Sequence, residues 1–351
     1  MSDAFVPYPL RLSFGIRRYA FGTRLIESRL GKEGLPDGIV AETWEVSDHP
    51  DEPATVQNGA YSGRPLRELV QAFPDQLVRA GWRGPHLPLL VKLLDASHLL
   101  PVHAHPADAV AAARYGEPNG KDEAWHVLWA EAGASVLVGL QPGLERAALR
   151  DALLAQDYDA VLLRYPVQAG DTVDVPGGVL HTFGPDTLIL EVQQTSDLGE
   201  SAMPNDLYGR PLTSEAWHSN VDATLDVLTS EARPRPDPGV VLRDDEVVRR
   251  VQGCRNARFV LERWTLRSPL RTRVGEGGFA TLTALDGPLT VAYEGGSETV
   301  PRASSCLLPA ALGEVTLEPV AGGPLDLVVC FEPGQAQPDR AVAQQTALEG
   351  T

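Results

Sequence analysis

Val102-His103-Ala104-His105-Pro106 places two imidazoles two residues apart, and Gly170-Asp171-Thr172-Val173-Asp174-Val175-Pro176-Gly177-Gly178-Val179-Leu180-His181 delivers a third. Gly120-Lys121-Asp122-Glu123 lies between them. The segment around His103 reads as strand, where alternate side chains share a face, so both imidazoles can reach one ion. Pro176 to Gly178 let the chain reverse and present His181 at the start of the next strand. Three neutral imidazoles and one carboxylate form a nitrogen-rich set for a borderline divalent ion. Zinc is the first expectation, and Mn, Fe, Co or Ni suit the same ligand types. Each piece alone is ordinary; their order and spacing together carry the assignment.

Working outward, the flanking text reads mainly as strand. Thr43–Val46, Ser135–Leu140, Thr172–Val175 and Thr187–Gln194 are predicted strands, and Leu87–Leu94 is an apolar run interrupted only by Lys92. Leu66, Leu69, Val70 and Phe73 fall at helical spacing ahead of Pro74. Further helices are expected near Leu144–Gln156 and Glu215–Leu228. Pro234, Pro236 and Pro238 mark a semi-extended linker. Beyond it, short strand-like runs recur with frequent turn signals, as in a β-sandwich or barrel. The expected organisation is a metal-bearing β-barrel with helical insertions over 1–230 and a linker over 231–240. A metal-free β domain over 241–333 and a mobile tail over 334–351 follow.

Composition narrows the function classes. The chain has 351 residues and a net charge of −17, which repels phosphate backbones and anionic lipid. Nucleic-acid and membrane roles are therefore not expected, and no apolar run reaches the roughly 18 residues of a membrane helix. No secretory signal is visible over Met1–Leu10, and Cys254, Cys306 and Cys330 show no CxxC spacing. The expected location is cytoplasmic, with reduced thiols. Lys32, Lys92 and Lys121 are the only lysines among 30 basic residues, so each marks a position where a compact ammonium has a use that Arg does not meet. His49, His86, His98, His126 and His218 lack partner spacing and read as ordinary polar or packed residues.

The order HxH, Glu, then G-x5-P-x-G-x2-H resembles the two-part signature of cupins, small double-sheet β-barrels with a metal in the barrel mouth. The flanking text is similar to the short, type I mannose-6-phosphate isomerases. It includes Leu89-Leu90-Val91-Lys92-Leu93-Leu94-Asp95, Ala41-Glu42-Thr43-Trp44-Glu45-Val46-Ser47 and Leu190-Glu191-Val192-Gln193-Gln194-Thr195-Ser196-Asp197. The resemblance spans roughly Pro9 to Glu332. It implies a mainly β protein of two cupin-type jelly-roll barrels, a few helices attached to the first.

The resemblance further implies one zinc ion held by His103, His105, Glu123 and His181, with His103 where the family has Gln. It implies aldose–ketose isomerisation of mannose 6-phosphate and fructose 6-phosphate through a cis-enediol, without a redox cofactor. Glu191, Lys121, Lys92 and Arg210 are the catalytic candidates; a carboxylate or ammonium in an apolar run demands a partner or a function. Three departures bear on the substrate. Pro101 replaces a Ser, His103 replaces Gln, and the run after Ser196-Asp197 holds Glu200 near where the family has an Arg. Arg210 either corresponds to the family's later Arg or is folded back into the pocket by the altered loop. Alternative readings are an isomerase of another or unphosphorylated sugar and a non-catalytic sugar-binding cupin. The oligomeric state stays open.

Overall fold

The structure, a computed structural model, describes residues 4–274 and 278–334; the expected mobile tail lies, Gly334 apart, outside the described residues. Six strands form one antiparallel sheet in the lateral order Gly15–Arg17, Glu42–Val46, Leu89–Ala96, Thr187–Gln194, Glu123–Ala130 and Thr172–Val175. A five-stranded sheet faces it, in the order Glu200–Ser201, His103–Ala104, Leu180–Phe183, Ser135–Leu140 and Leu162–Pro166. Leu94, Trp125, Val127, Val138, Phe183 and Ile189 fill the space between them. Burying a side chain such as Phe183 contributes about 1.5–3 kcal/mol.

The sheet's central strands, Leu89–Ala96 and Thr187–Gln194, are buried at every position. Alternation divides them. Leu94 and Ile189 face the first pair of sheets, while Leu89, Val91, Leu93, Leu188, Leu190 and Val192 pack the other way. Their outward neighbours include Phe259, Leu261, Leu307 and Val328. A sheet covered on both faces reads as a continuous apolar run, which is why Lys92 and Glu191 stand out.

The later residues build a seven-stranded sheet that includes Val260–Leu266, Ala280–Ala284, Ser304–Leu308 and Leu325–Phe331. A four-stranded sheet of Leu270–Val274, Gly313–Pro319, Leu289–Tyr293 and Gly296–Val300 covers its other side around Leu282, Leu289, Leu317 and Leu327. The early strand Leu10–Arg11 joins the seven-stranded sheet, with Leu10 opposite Leu307. Lys32 adds a polar tie: its ammonium lies 2.9 Å from Glu45 and donates to the Ala303 carbonyl at 2.7 Å, and it is 2% exposed.

The expected helices form as Leu66–Ala72, Arg146–Leu154 and Ser214–Val227. The last two pack Leu149, Leu153, Val221 and Leu225 on the outer face of the five-stranded sheet. Residues 231–236 carry no helix or strand, and Asp237 exchanges backbone hydrogen bonds with Thr172. Among the described residues no helix is long and apolar enough to cross a membrane.

Candidate active site and metal centre

Strand register lines up a row of four side chains, of which Lys92 and Glu191 line a cleft and the two indoles are buried. Trp44, Lys92, Glu191 and Trp125 are successive cross-strand partners on four adjacent strands of the six-stranded sheet. Glu123 lies two residues along from Trp125 and accepts a 2.9 Å hydrogen bond from the Trp125 indole. From the facing sheet, His103 and His181 are direct antiparallel partners, and His105 follows where that strand ends.

The histidines are set by their backbone contacts. Nδ1 of His103 lies 2.7 Å from the Pro101 carbonyl, that of His105 2.7 Å from Leu198, and that of His181 2.9 Å from Val179. A carbonyl only accepts, so each Nδ1 carries the proton and each Nε2 turns its lone pair inward, that of His105 accepting from the Lys121 ammonium at 2.9 Å. Nε2 of His103 and His181 approach to 3.0 Å. Glu123 Oε1 stands 3.3 Å from Nε2 of His181, and its Oε2 3.2 Å from Nε2 of His105. The Lys121 ammonium answers His105 and Glu123 Oε2, at 2.9 and 2.7 Å, whereas among His103, His181 and Glu123 Oε1 acceptors face acceptors, an arrangement that a further cation reconciles. The three histidines place ligand atoms within 4.8 Å of one another. This donor set fits a borderline divalent metal.

Burial keeps the imidazoles neutral, the form that binds metal. Desolvation, reinforced by His181, holds His103 well below its ordinary value. Desolvation and the Lys121 charge bring His105 to about 4, and desolvation takes His181 to about 3 against the opposing pull of Glu123. For Glu123, burial opposes the charge, but Lys121 and His105 outweigh it and hold the carboxyl well below the usual range.

Beside this set lies a mixed-charge cluster. The Lys121 ammonium is 2.7 Å from Glu123 and 3.5 Å from Glu191. Lys92 is 3.6 Å from both Glu191 and Glu42 and 3.9 Å from Asp197. It also lies 4.5 Å from the Trp44 ring centre. Burial, then the neighbouring Glu123 charge, raises Glu191 to about 7. Burial would lower Lys121, yet Glu123 and Glu191 prevail and hold it above its ordinary value. The cleft has a volume of about 180 Å³, and Tyr19, Phe21, Leu100, Pro101 and Leu207 line it with these groups.

Seven expected residues therefore meet: His103, His105, Glu123, His181, Lys92, Lys121 and Glu191. Arg210 does not. Its Nε donates to Asp206 at 2.7 Å, its guanidinium sits 5.2 Å from the Tyr208 ring centre, and its side chain is 72% exposed. The Asp206 carboxylate also accepts from the Tyr208 and Arg210 amides, closing a tight turn that keeps Arg210 outside the cleft lining. The expected fold-back of this arginine is corrected accordingly. Glu200 does line the cleft, where it accepts a 2.6 Å hydrogen bond from Tyr115. Glu42, Trp44, Tyr19 and Asp197 were not among the candidates. The available signal was alternation: Glu42 and Trp44 fall two apart on the strand paired with Lys92.

Residues 10–128 match the model of the family described as phosphomannose isomerase type I, catalytic domain. Mannose-6-phosphate isomerase of Streptococcus mutans is 34% identical over 221 residues, 63% of this chain and 68% of that one. Mannose-6-phosphate isomerase ManA of Bacillus subtilis is 32% identical over 163 residues, 46% of this chain and 51% of its own. In structure, the chain is similar to a crystal structure of the mannose 6-phosphate isomerase from Bacillus subtilis. The TM-score is 0.80 at 24% identity, covering 92% of this chain and 99% of that one. That likeness speaks for the mainly β, cupin-type fold. The sequence identity, held over two thirds of the streptococcal chain, places this protein in the type I mannose-6-phosphate isomerase family.

Proposed function

We propose that the protein interconverts mannose 6-phosphate and fructose 6-phosphate through a cis-enediol, with His103, His105, Glu123 and His181 holding one zinc ion. The observation that carries this reading is the convergence of three inward-turned Nε2 atoms and the Glu123 carboxylate beside a second buried carboxyl, Glu191. When bound, the ion supplies Lewis-acid polarisation of the oxygens on C1 and C2 of the sugar.

The chain's own groups divide the remaining work. Glu191 moves the proton between C2 and C1, because a carboxyl raised to about 7 both accepts and returns one near neutral pH. Lys121 is too firmly protonated to act as a base, so it balances the charge of Glu123 and Glu191. Lys92 holds Glu191 from the other side and keeps Glu42 and Asp197 in place. Leu94, Leu100 and Phe183 line the cleft with apolar surface that keeps bulk water from the enediol.

Metal analysis of the purified protein, followed by an isomerase assay on mannose 6-phosphate before and after chelation, tests the reading. One zinc per chain and chelator-sensitive turnover are expected. A zinc-loaded protein that leaves mannose 6-phosphate unchanged overturns it.

A further inference from the structure

We propose that Arg17, at the outer edge of the six-stranded sheet, receives the phosphate group of the substrate. The inference rests on the isomerase reading above and extends it to the end of the sugar remote from the metal centre.

Both lysines of the cleft are committed: Lys92 to Glu42, Glu191 and Asp197, and Lys121 to Glu123, His105 and Glu191. Arg210 is held away by Asp206. A dianion entering this cleft therefore needs another cation, and the sheet supplies one on the same face. Arg17 is the cross-strand partner of Glu42, which lines the cleft and pairs with Lys92. Its guanidinium lies 4.4 Å from the Trp44 ring centre, and the Lys92 ammonium lies 4.5 Å from the same ring. Trp44, itself fully buried, thus carries the Lys92 ammonium, which lines the cleft, and the Arg17 guanidinium, which stands outside the lining beside Glu42 and Tyr19. The cleft residues Tyr19 and Asp197 are close enough to act on the Arg17 charge.

The guanidinium also has donors to spare. Nη1 is bound to Glu52 at 2.5 Å, while Nε and Nη2 make no hydrogen bond among the described residues. Its side chain is 18% exposed, so it is sheltered yet reachable. The planar fork suits phosphate oxygens two at a time. Three strand spacings, about 14 Å, and a two-residue step along the strand, about 7 Å, separate the backbones of Arg17 and Glu191, about 16 Å in all. A sugar with its reacting carbons beside Glu191 and its phosphate directed towards Arg17 lies across Lys92 and Glu42, which line the cleft.

The test uses the zinc-loaded, full-length enzyme and the variants Arg17→Ala and Arg17→Lys. Turnover of mannose 6-phosphate and of mannose, and calorimetric binding of mannose 6-phosphate, are measured for each. The ratio of kcat/KM for mannose 6-phosphate to that for mannose is expected to fall at least about tenfold in Arg17→Ala, the loss of one charge-assisted contact. Arg17→Lys is expected to recover part of that ratio, and Arg210→Ala to leave it within about twofold. An unchanged ratio, or an equal fall for both sugars, overturns the proposal, as does failure of the unaltered protein to bind mannose 6-phosphate. Arg17-dependent binding without turnover sustains the assignment of Arg17 and overturns the isomerase reading instead.

Discussion

Glu191 stands directly opposite Lys92 in the pairing of the two central strands, and their charged groups lie 3.6 Å apart. Lys121 approaches the same carboxylate oxygen to 3.5 Å. The carboxyl is thereby fixed between two cations while burial keeps it ready to hold a proton. Glu191→Gln keeps the shape and removes the titrating group. It is expected to lower kcat about 100- to 10,000-fold while KM changes little. Exchange of the C2 proton with deuterated solvent should fall in parallel. A kcat within tenfold of the unaltered enzyme would assign the proton transfer elsewhere.

His181 donates from Nδ1 to Val179 and directs Nε2 at both His103 and Glu123. On the proposed reading, replacing it with Ala deletes a ligand rather than a supporting contact. Zinc affinity should drop by more than roughly 100-fold, since even a supporting contact is worth 10- to 100-fold. Titration against a fluorescent chelator measures this directly. Retention of zinc at the original affinity would remove His181 from the metal centre.

His126 is buried on the strand Glu123–Ala130, its Nδ1 3.0 Å from the Thr172 hydroxyl. Burial, with the Arg263 charge, lowers it to about 3, so it stays neutral in the folded protein. Below about pH 6.5 the unfolded chain takes up a proton that the folded chain refuses, and stability is lost as pH falls from there towards 3. The slope is about 1.4 kcal/mol per pH unit. His126→Asn should remove that share of the slope when urea unfolding is compared at pH 6 and pH 5. Identical slopes for the two proteins would show that His126 titrates normally.

Lys32 and Glu45 are 1% and 2% exposed along their side chains and 2.9 Å apart. Removing one partner strands a buried charge, so Lys32→Ala should cost about 3–5 kcal/mol. The double replacement Lys32→Met with Glu45→Leu should recover most of that loss in chemical denaturation. A single variant as stable as the parent would mean that water reaches Glu45.

The clustering of His103, His105, Glu123 and His181 was legible because its signals are local: a two-residue period, a Pro-Gly-Gly turn, and charged residues standing inside apolar runs. The strands Ser135–Leu140, Thr172–Val175 and Thr187–Gln194 occur at their expected bounds for the same reason. The strand Glu123–Ala130 was harder to read, because Glu123 and His126 break its apolar pattern although both are buried. The pairing of Leu10 with Leu307 is set by distant segments and leaves no local trace. Arg210 failed as an expectation because Asp206 captures it within a turn. No residue spacing signals that capture. Arg17 was passed over because its relation to the cleft runs through two strand pairings, first to Glu42 and then to Leu94, the neighbour of Lys92 by two residues.

All three lysines are 5% exposed or less: Lys32, Lys92 and Lys121. Apart from its N-terminus, the folded chain therefore offers amine-reactive reagents almost nothing to modify. Acylating esters and aldehyde cross-linkers should leave the native protein nearly unmarked and label the lysines only when it opens. Mass added per lysine over time becomes a clock for unfolding, and coupling chemistry aimed at lysine is the wrong way to immobilise this protein.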